Sequence, residues 1–133
     1  MLNEVEEFHR VFGHPIDQDL NSEQIELRFN LIKEEFTEAA EELATLAMQS
    51  DKGASQEGKT KTKIKLTKEL ADMLYVIYGT AVALGLPLED AFKEVHRSNM
   101  SKLGPEGEVL RREDGKILKG PNYSEADVAQ FFV

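Results

Sequence analysis

Two apolar seams constrain what this chain can fold into. Ile25, Phe29, Ile32, Phe36, Ala39, Leu43 and Leu46 follow one another in alternating steps of four and three, and Leu66, Leu70, Met73, Ile77, Ala81 and Leu84 repeat nearly the same pattern. With 3.6 residues per turn, each set becomes one stripe along a helix, of the kind that helices bury against each other in a bundle. Asn21 or Ser22 can cap the first of these helices, placed at about residues 22–49, while Gly85 and Pro87 end the second.

Shorter elements flank the pair. Val5, Phe8 and Phe12 mark a helix over residues 2–12, stopped by Gly13 and Pro15. Pro87 opens a fourth helix that carries Leu88, Phe92 and Val95 inward until about Leu103, where Gly104 and Pro105 end it. The stretch QSDKGASQEGKT, residues 49–60, has the composition of a mobile connection. Asp114-Gly115 between two short runs predicts a β-ribbon, and YSEADVAQFFV at the end predicts a capped helical turn. The expected fold is all-α: one domain over residues 1–133, a four-helix-type bundle with its helical core at about 22–103 and a hairpin and tail at 104–133.

Within the third helix, MLYVIYGTAVAL at residues 73–84 is apolar around nearly its whole circumference. That is far short of the roughly 20 residues a bilayer requires, so a second copy of the chain is the expected cover, as a homodimer or a dimer of dimers. A formal charge of -9 and an absence of Cys exclude disulfides, thiolate zinc sites and broad attraction to nucleic acid or anionic membranes. The N-terminal MLNEVEEFHR shows no leader pattern, and a cytoplasmic location is expected.

The chemistry is concentrated in IKEEFTEAAEEL, residues 32–43, where five Glu face only Lys33. Turning the helix by 100° per residue puts Arg28, Leu31, Glu35, Glu38 and Glu42 in a strip beside the apolar seam. Lys65, Glu69, Asp72 and Val76 form the matching strip on the next helix. Packing the helices brings Glu35, Glu38, Glu69 and Asp72 together, and four ionised groups at the edge of a core repel unless a divalent cation binds them. Oxygen-only ligation favours Mg²⁺, with Mn²⁺ as a substitute; zinc prefers His or Cys, and His9, His14 and His96 lie off these strips. The alternative is a solvated acidic face that meets a basic partner, in a helical module without catalysis.

EEFTE at residues 34–38 and ELAD at 69–72 resemble the EExxE…ExxD pattern of the MazG-like all-α nucleoside triphosphate pyrophosphohydrolases, and residues 74–103 are similar to the segment that follows it. The resemblance implies a helical oligomer and Mg²⁺-dependent cleavage of a nucleoside triphosphate between its α- and β-phosphates, giving a monophosphate and pyrophosphate. It implies that Glu35, Glu38, Glu69 and Asp72 bind metal, and Glu34, beside Glu38 on the helix, is a candidate general base. Asn99 and Lys102 resemble the family's nucleotide-contacting pair, with Asn99 at a position where the spacing calls for an inward residue. DGKILKGPNY is similar to a tail of some members, and Lys116, Lys119 and Tyr123 are expected to close over the substrate. Within the enzyme class, dUTP and phosphoribosyl-ATP are alternative substrates. Phe8, His9 and Phe12 offer a stacking surface for a nucleobase, in this site or a partner's, but docking of the short helix by its two Phe accounts for them better, so His9 is left outside the catalytic set, and His96 is read as a core residue.

Overall fold

The computed structural model describes residues 1–132 and contains four α-helices: α1 (Leu2–Phe12), α2 (Ser22–Asp51), α3 (Gln56–Leu84) and α4 (Leu88–Met100). A single 3₁₀ turn, Ala129–Phe131, follows them, and no strand occurs among the described residues. No single helix is long and apolar enough to cross a membrane. The chain divides into two compact units, Met1–Leu86 and Pro87–Val133.

In the first unit α2 and α3 pack along each other and α1 packs on α3. Asn21 starts α2 with a reciprocal box: its side chain accepts the Gln24 N–H at 2.9 Å, and the Gln24 side chain accepts the Asn21 N–H at 3.0 Å. Ser55 caps α3 by accepting the Gly58 N–H at 3.1 Å. The connection is therefore only residues 52–55, shorter than the 49–60 expected from composition. The Ser55 cap lets the Lys- and Thr-rich stretch after it continue as helix, despite Gly58 in its first turn.

The segment between α1 and α2 lies on the end of α3. The Asp17 N–H reaches the Val82 carbonyl at 2.8 Å and the Gln18 N–H the Ala83 carbonyl at 2.9 Å, satisfying acceptors that the end of a helix leaves open. Gly85 closes α3 at φ 67°, and a β-carbon there would also collide with the Asp17 carboxylate, so glycine is required on both counts.

Burial departs from the seams. On α2 the buried residues are Arg28 and Ala39, with Glu35 half-buried between them, whereas Ile25, Phe29, Phe36 and Leu43 are between 51% and 62% exposed. An antiparallel pair of helices covers one flank of each apolar stripe, and here that flank is the one carrying the carboxylate strip.

In the second unit the expected inward face of α4 is not buried either. Phe92 is 71% exposed and Val95 is exposed, while Ser98 is the buried residue. The tail supplies the reason: the Asp127 N–H donates to Glu94 Oε1 at 3.0 Å and the Ser124 N–H to Ser101 Oγ at 2.9 Å, so the polar flank of α4 is the one its own tail covers. His96, expected in the core, is exposed with that same apolar flank. Gly120 passes so close to the chain end of α4 that a β-carbon would collide with the Leu103 carbonyl, and its N–H donates to Lys102 O at 2.9 Å.

The turn at Asp114-Gly115 forms where expected, with Gly115 at φ 85° and an antiparallel bridge between Arg111 and Ile117. It does not extend into strands, because an isolated two-stranded ribbon is marginal in water and Arg111, Arg112 and Glu113 are all exposed. The last residues give a single 3₁₀ turn in place of a capped helical one; Val133 lies outside the described residues.

Candidate metal centre

The pairing of α2 with α3 creates the one cluster of candidate metal ligands found among the described residues. Carboxylate oxygens of Glu35, Glu69 and Asp72 lie within 4.8 Å of one another. The first comes from α2 and the other two, three residues apart, from one face of α3. All three side chains are half-buried. Glu35 Oε2 and Glu69 Oε2 are each shut off from solvent without a hydrogen-bond partner.

Such atoms cost roughly 1–3 kcal/mol each when nothing satisfies them, and more when ionised. Their neighbourhood makes the cost visible in the acidities. Burial pushes the Glu35 carboxyl above its ordinary range, and the charges of Asp72, Glu34 and Glu69 push it further, with Lys68 opposing. Glu38 is raised too, first by the neighbouring Glu69 carboxyl, which favours a proton between the two, then by loss of water and by the charges of Glu35 and Glu69. Glu38 thus stands at the margin of the cluster. Glu34 lies outside it, exposed beside Glu38 in a shallow depression that Lys33 and Glu41 also line.

Lys68 is the residue the sequence reading missed. Its Nζ lies 2.7 Å from Asp72 Oδ2 and 3.5 Å from Glu69 Oε1, and the Asp72 contact raises its own pKa. The signal was available as a Lys–Asp pair four residues apart on one helix face. The lysine side chain is mostly exposed, so solvent screens the pair, and it leaves the two buried oxygens unsatisfied. A hard divalent cation fits this set: the donors are all oxygens, they converge, and two of them have no protein partner.

The remaining predicted residues belong to the second unit. Asn99 is exposed, contrary to the inward position its spacing implied, and its Oδ1 accepts from Lys102 Nζ at 2.9 Å. Lys119 Nζ sits 4.5 Å from the centre of the Tyr123 ring, a cation–π contact. Lys116 is held at the turn, its N–H donating to Asp114 Oδ1 at 3.1 Å. Arg97 forms an ion pair with Glu94, donating twice to it at 2.8 and 2.7 Å; with the Asp127 N–H this holds the Glu94 carboxyl down at about 2.

Comparison with known families matches residues 5–99 to the family described as Phosphoribosyl-ATP pyrophosphohydrolase. The matched span runs from α1 to the penultimate residue of α4 and includes Glu35, Glu38, Glu69, Asp72 and Asn99. No curated protein matches the chain. An all-helical chain whose converging carboxylates fall within a match covering most of its length belongs to the phosphoribosyl-ATP pyrophosphohydrolase family, a member of the MazG-like all-α nucleoside triphosphate pyrophosphohydrolase superfamily.

Proposed function

We propose that the protein is a Mg²⁺-dependent nucleoside triphosphate pyrophosphohydrolase that cleaves standard or aberrant (d)NTPs between the α- and β-phosphates, cleansing or balancing the nucleotide pool. The observation that carries this reading is the pair of buried, unpartnered oxygens on Glu35 and Glu69 inside a cluster spanning 4.8 Å. Glu35, Glu69 and Asp72 would hold the cation, with Glu38 at its edge. When bound, the ion supplies positive charge against the phosphates and makes a nearby water more acidic.

The protein's own groups complete the arrangement. Water attacks the α-phosphorus in line, one new P–O bond forms, and the bond to the bridging oxygen breaks so that pyrophosphate departs. The proton lost by the water goes to a carboxylate, for which exposed Glu34 beside Glu38 is our candidate. Lys68 releases Asp72 at little cost and can then meet a phosphate. Asn99, Lys102, Lys116, Lys119 and Tyr123 are assigned to the nucleotide, with the lysines answering phosphate charge.

Phosphoribosyl-ATP is the second reading, favoured by the description of the matched family. Both readings release pyrophosphate, so a panel of (d)NTPs, dUTP and phosphoribosyl-ATP assayed for it with Mg²⁺ decides between them. Glu38→Gln is expected to abolish turnover, and Glu34→Gln to slow the chemical step while sparing metal binding; wild-type rates in Glu38→Gln refute the mechanism. If no nucleotide with Mg²⁺ raises the melting midpoint of the wild-type protein, the acidic face serves a non-catalytic interaction module instead.

A further inference from the structure

A cavity of about 300 Å³ in the first unit has none of the clustered carboxylates in its walls, which include Phe8, His14, Arg28, Leu31, Tyr75 and Gly79. Its size is at the low end for small-molecule pockets, enough for a ring system rather than a whole nucleotide. The walls are flat and aromatic. Phe8 stacks on His14 with ring centres 5.5 Å apart and planes 15° apart, and Tyr75 stands edge-on to Phe8 at 5.6 Å.

Two buried polar side chains face this space. Arg28 is 7% exposed, and among the described residues no carboxylate lies within ion-pair reach of its guanidinium. His9 is 3% exposed, and its Nδ1–H donates to the Pro15 carbonyl at 2.7 Å, which leaves Nε2 as an acceptor. Burial, with the charges of Arg28 and His14, lowers the pKa of His9 and so favours its neutral ring, the Pro15 bond opposing. Both polar groups gather over Gly79: a β-carbon there would lie 3.2 Å from Arg28 Nη1 and 3.2 Å from His9 Nε2.

This places a fork of donors beside a single acceptor. The matching ligand edge is a carbonyl next to a ring N–H, as in uracil, thymine, guanine or hypoxanthine. Cytosine and adenine carry the reverse order, an amino group beside a bare ring nitrogen, and would set donor against donor at an arginine that has no acceptor. The cavity also adjoins the carboxylates. Leu31 precedes Glu35 by one turn of α2 and Tyr75 follows Asp72 by about one turn of α3, a rise of roughly 5 Å in each case.

We infer that this cavity is a base-recognition subsite in which Arg28 and His9 select nucleobases presenting a carbonyl beside a ring N–H over those presenting an amino group. The ligand class rests on the nucleotide reading above, while the selectivity rests on these two side chains alone. It also disfavours adenine-based substrates, phosphoribosyl-ATP among them.

The test uses nucleosides, which carry no phosphate for the carboxylates to repel. Uridine against cytidine and inosine against adenosine are titrated into the full-length, metal-free protein while the NMR shifts of Phe8, Tyr75 and Gly79 are followed. Uridine and inosine are expected to bind about tenfold more tightly than their amino counterparts, and Arg28→Met, which keeps the length and removes the donors, to abolish that ratio. Gly79→Ala, a helix-favouring change whose β-carbon would press on both Arg28 Nη1 and His9 Nε2 at 3.2 Å and shift each by a few tenths of an ångström, serves if Arg28→Met fails to fold, and it should lower the ratio. Equal binding of each pair, no shift at millimolar nucleoside, or a ratio that survives undiminished in the folded variants overturns the assignment. Pyrophosphate release is assayed separately: selectivity without release leaves this subsite standing and defeats the hydrolase, and release without selectivity does the opposite.

Discussion

At the scale of single residues, the charge state of Glu35 and Glu38 links the site to stability. Both carboxyls are raised above the ordinary value of 4.5, so in this range the folded chain holds protons that the unfolded chain has released. Stability without metal should therefore fall as pH rises from about 4.5 through the raised values, and Mg²⁺ should restore it by binding the ionised form. Melts in EDTA and in MgCl₂ between that pH and neutrality check the sign. Glu35→Gln removes one charge from the cluster and should raise the metal-free midpoint near neutrality, while lowering turnover by more than the 10–100-fold typical of groups that only support a metal ligand. A midpoint that falls in EDTA would show that repulsion is not what the cluster stores. That Glu35, Glu69 and Asp72 meet was legible from the spacing of acids on two amphipathic helices, whereas Glu38, expected with them, stands at the margin. Lys68 was passed over because it lies on the solvent side of its strip, and only the packed geometry shows that it reaches Asp72.

At the scale of elements, helix limits follow from local chemistry. The reciprocal Asn21–Gln24 box sets the start of α2, and Asn21→Ala should cost about 1 kcal/mol, read as a lower denaturant midpoint with an unchanged slope. Period and caps located all four helices, because both act within a few residues. The connection after α2 was overestimated, since Gly and Ser composition does not distinguish a loop from a capped first turn; Ser55 settles that through one hydrogen bond to Gly58. The burial of α4 was misjudged for a different reason. Its apolar stripe is regular, yet Glu94, Arg97 and Ser101 bind tail residues 124, 125 and 127, contacts more than twenty residues away in sequence that no periodicity contains.

At the scale of the whole molecule, the apolar side chains left outside matter most. Ile25, Phe29, Phe36 and Leu43 form an exposed row along α2, and contiguous apolar patches on a protein surface usually mark association. Light scattering is expected to give a mass above the 15.0 kDa of one chain, and Phe29→Glu to return it to that value with the helical content retained. A wild-type monomer at micromolar concentration removes the proposed oligomer while leaving the carboxylate cluster as it is. The sequence by itself determined that the chain is helical, roughly where its four helices lie, and which acids share a face, because each of these depends on neighbours within about one turn. Only the tertiary structure decided which flank of each seam is covered, that two buried carboxylate oxygens go unpartnered, and that His9 and Arg28 meet over Gly79. A fraction of a turn about a helix axis changes all three without altering any local preference.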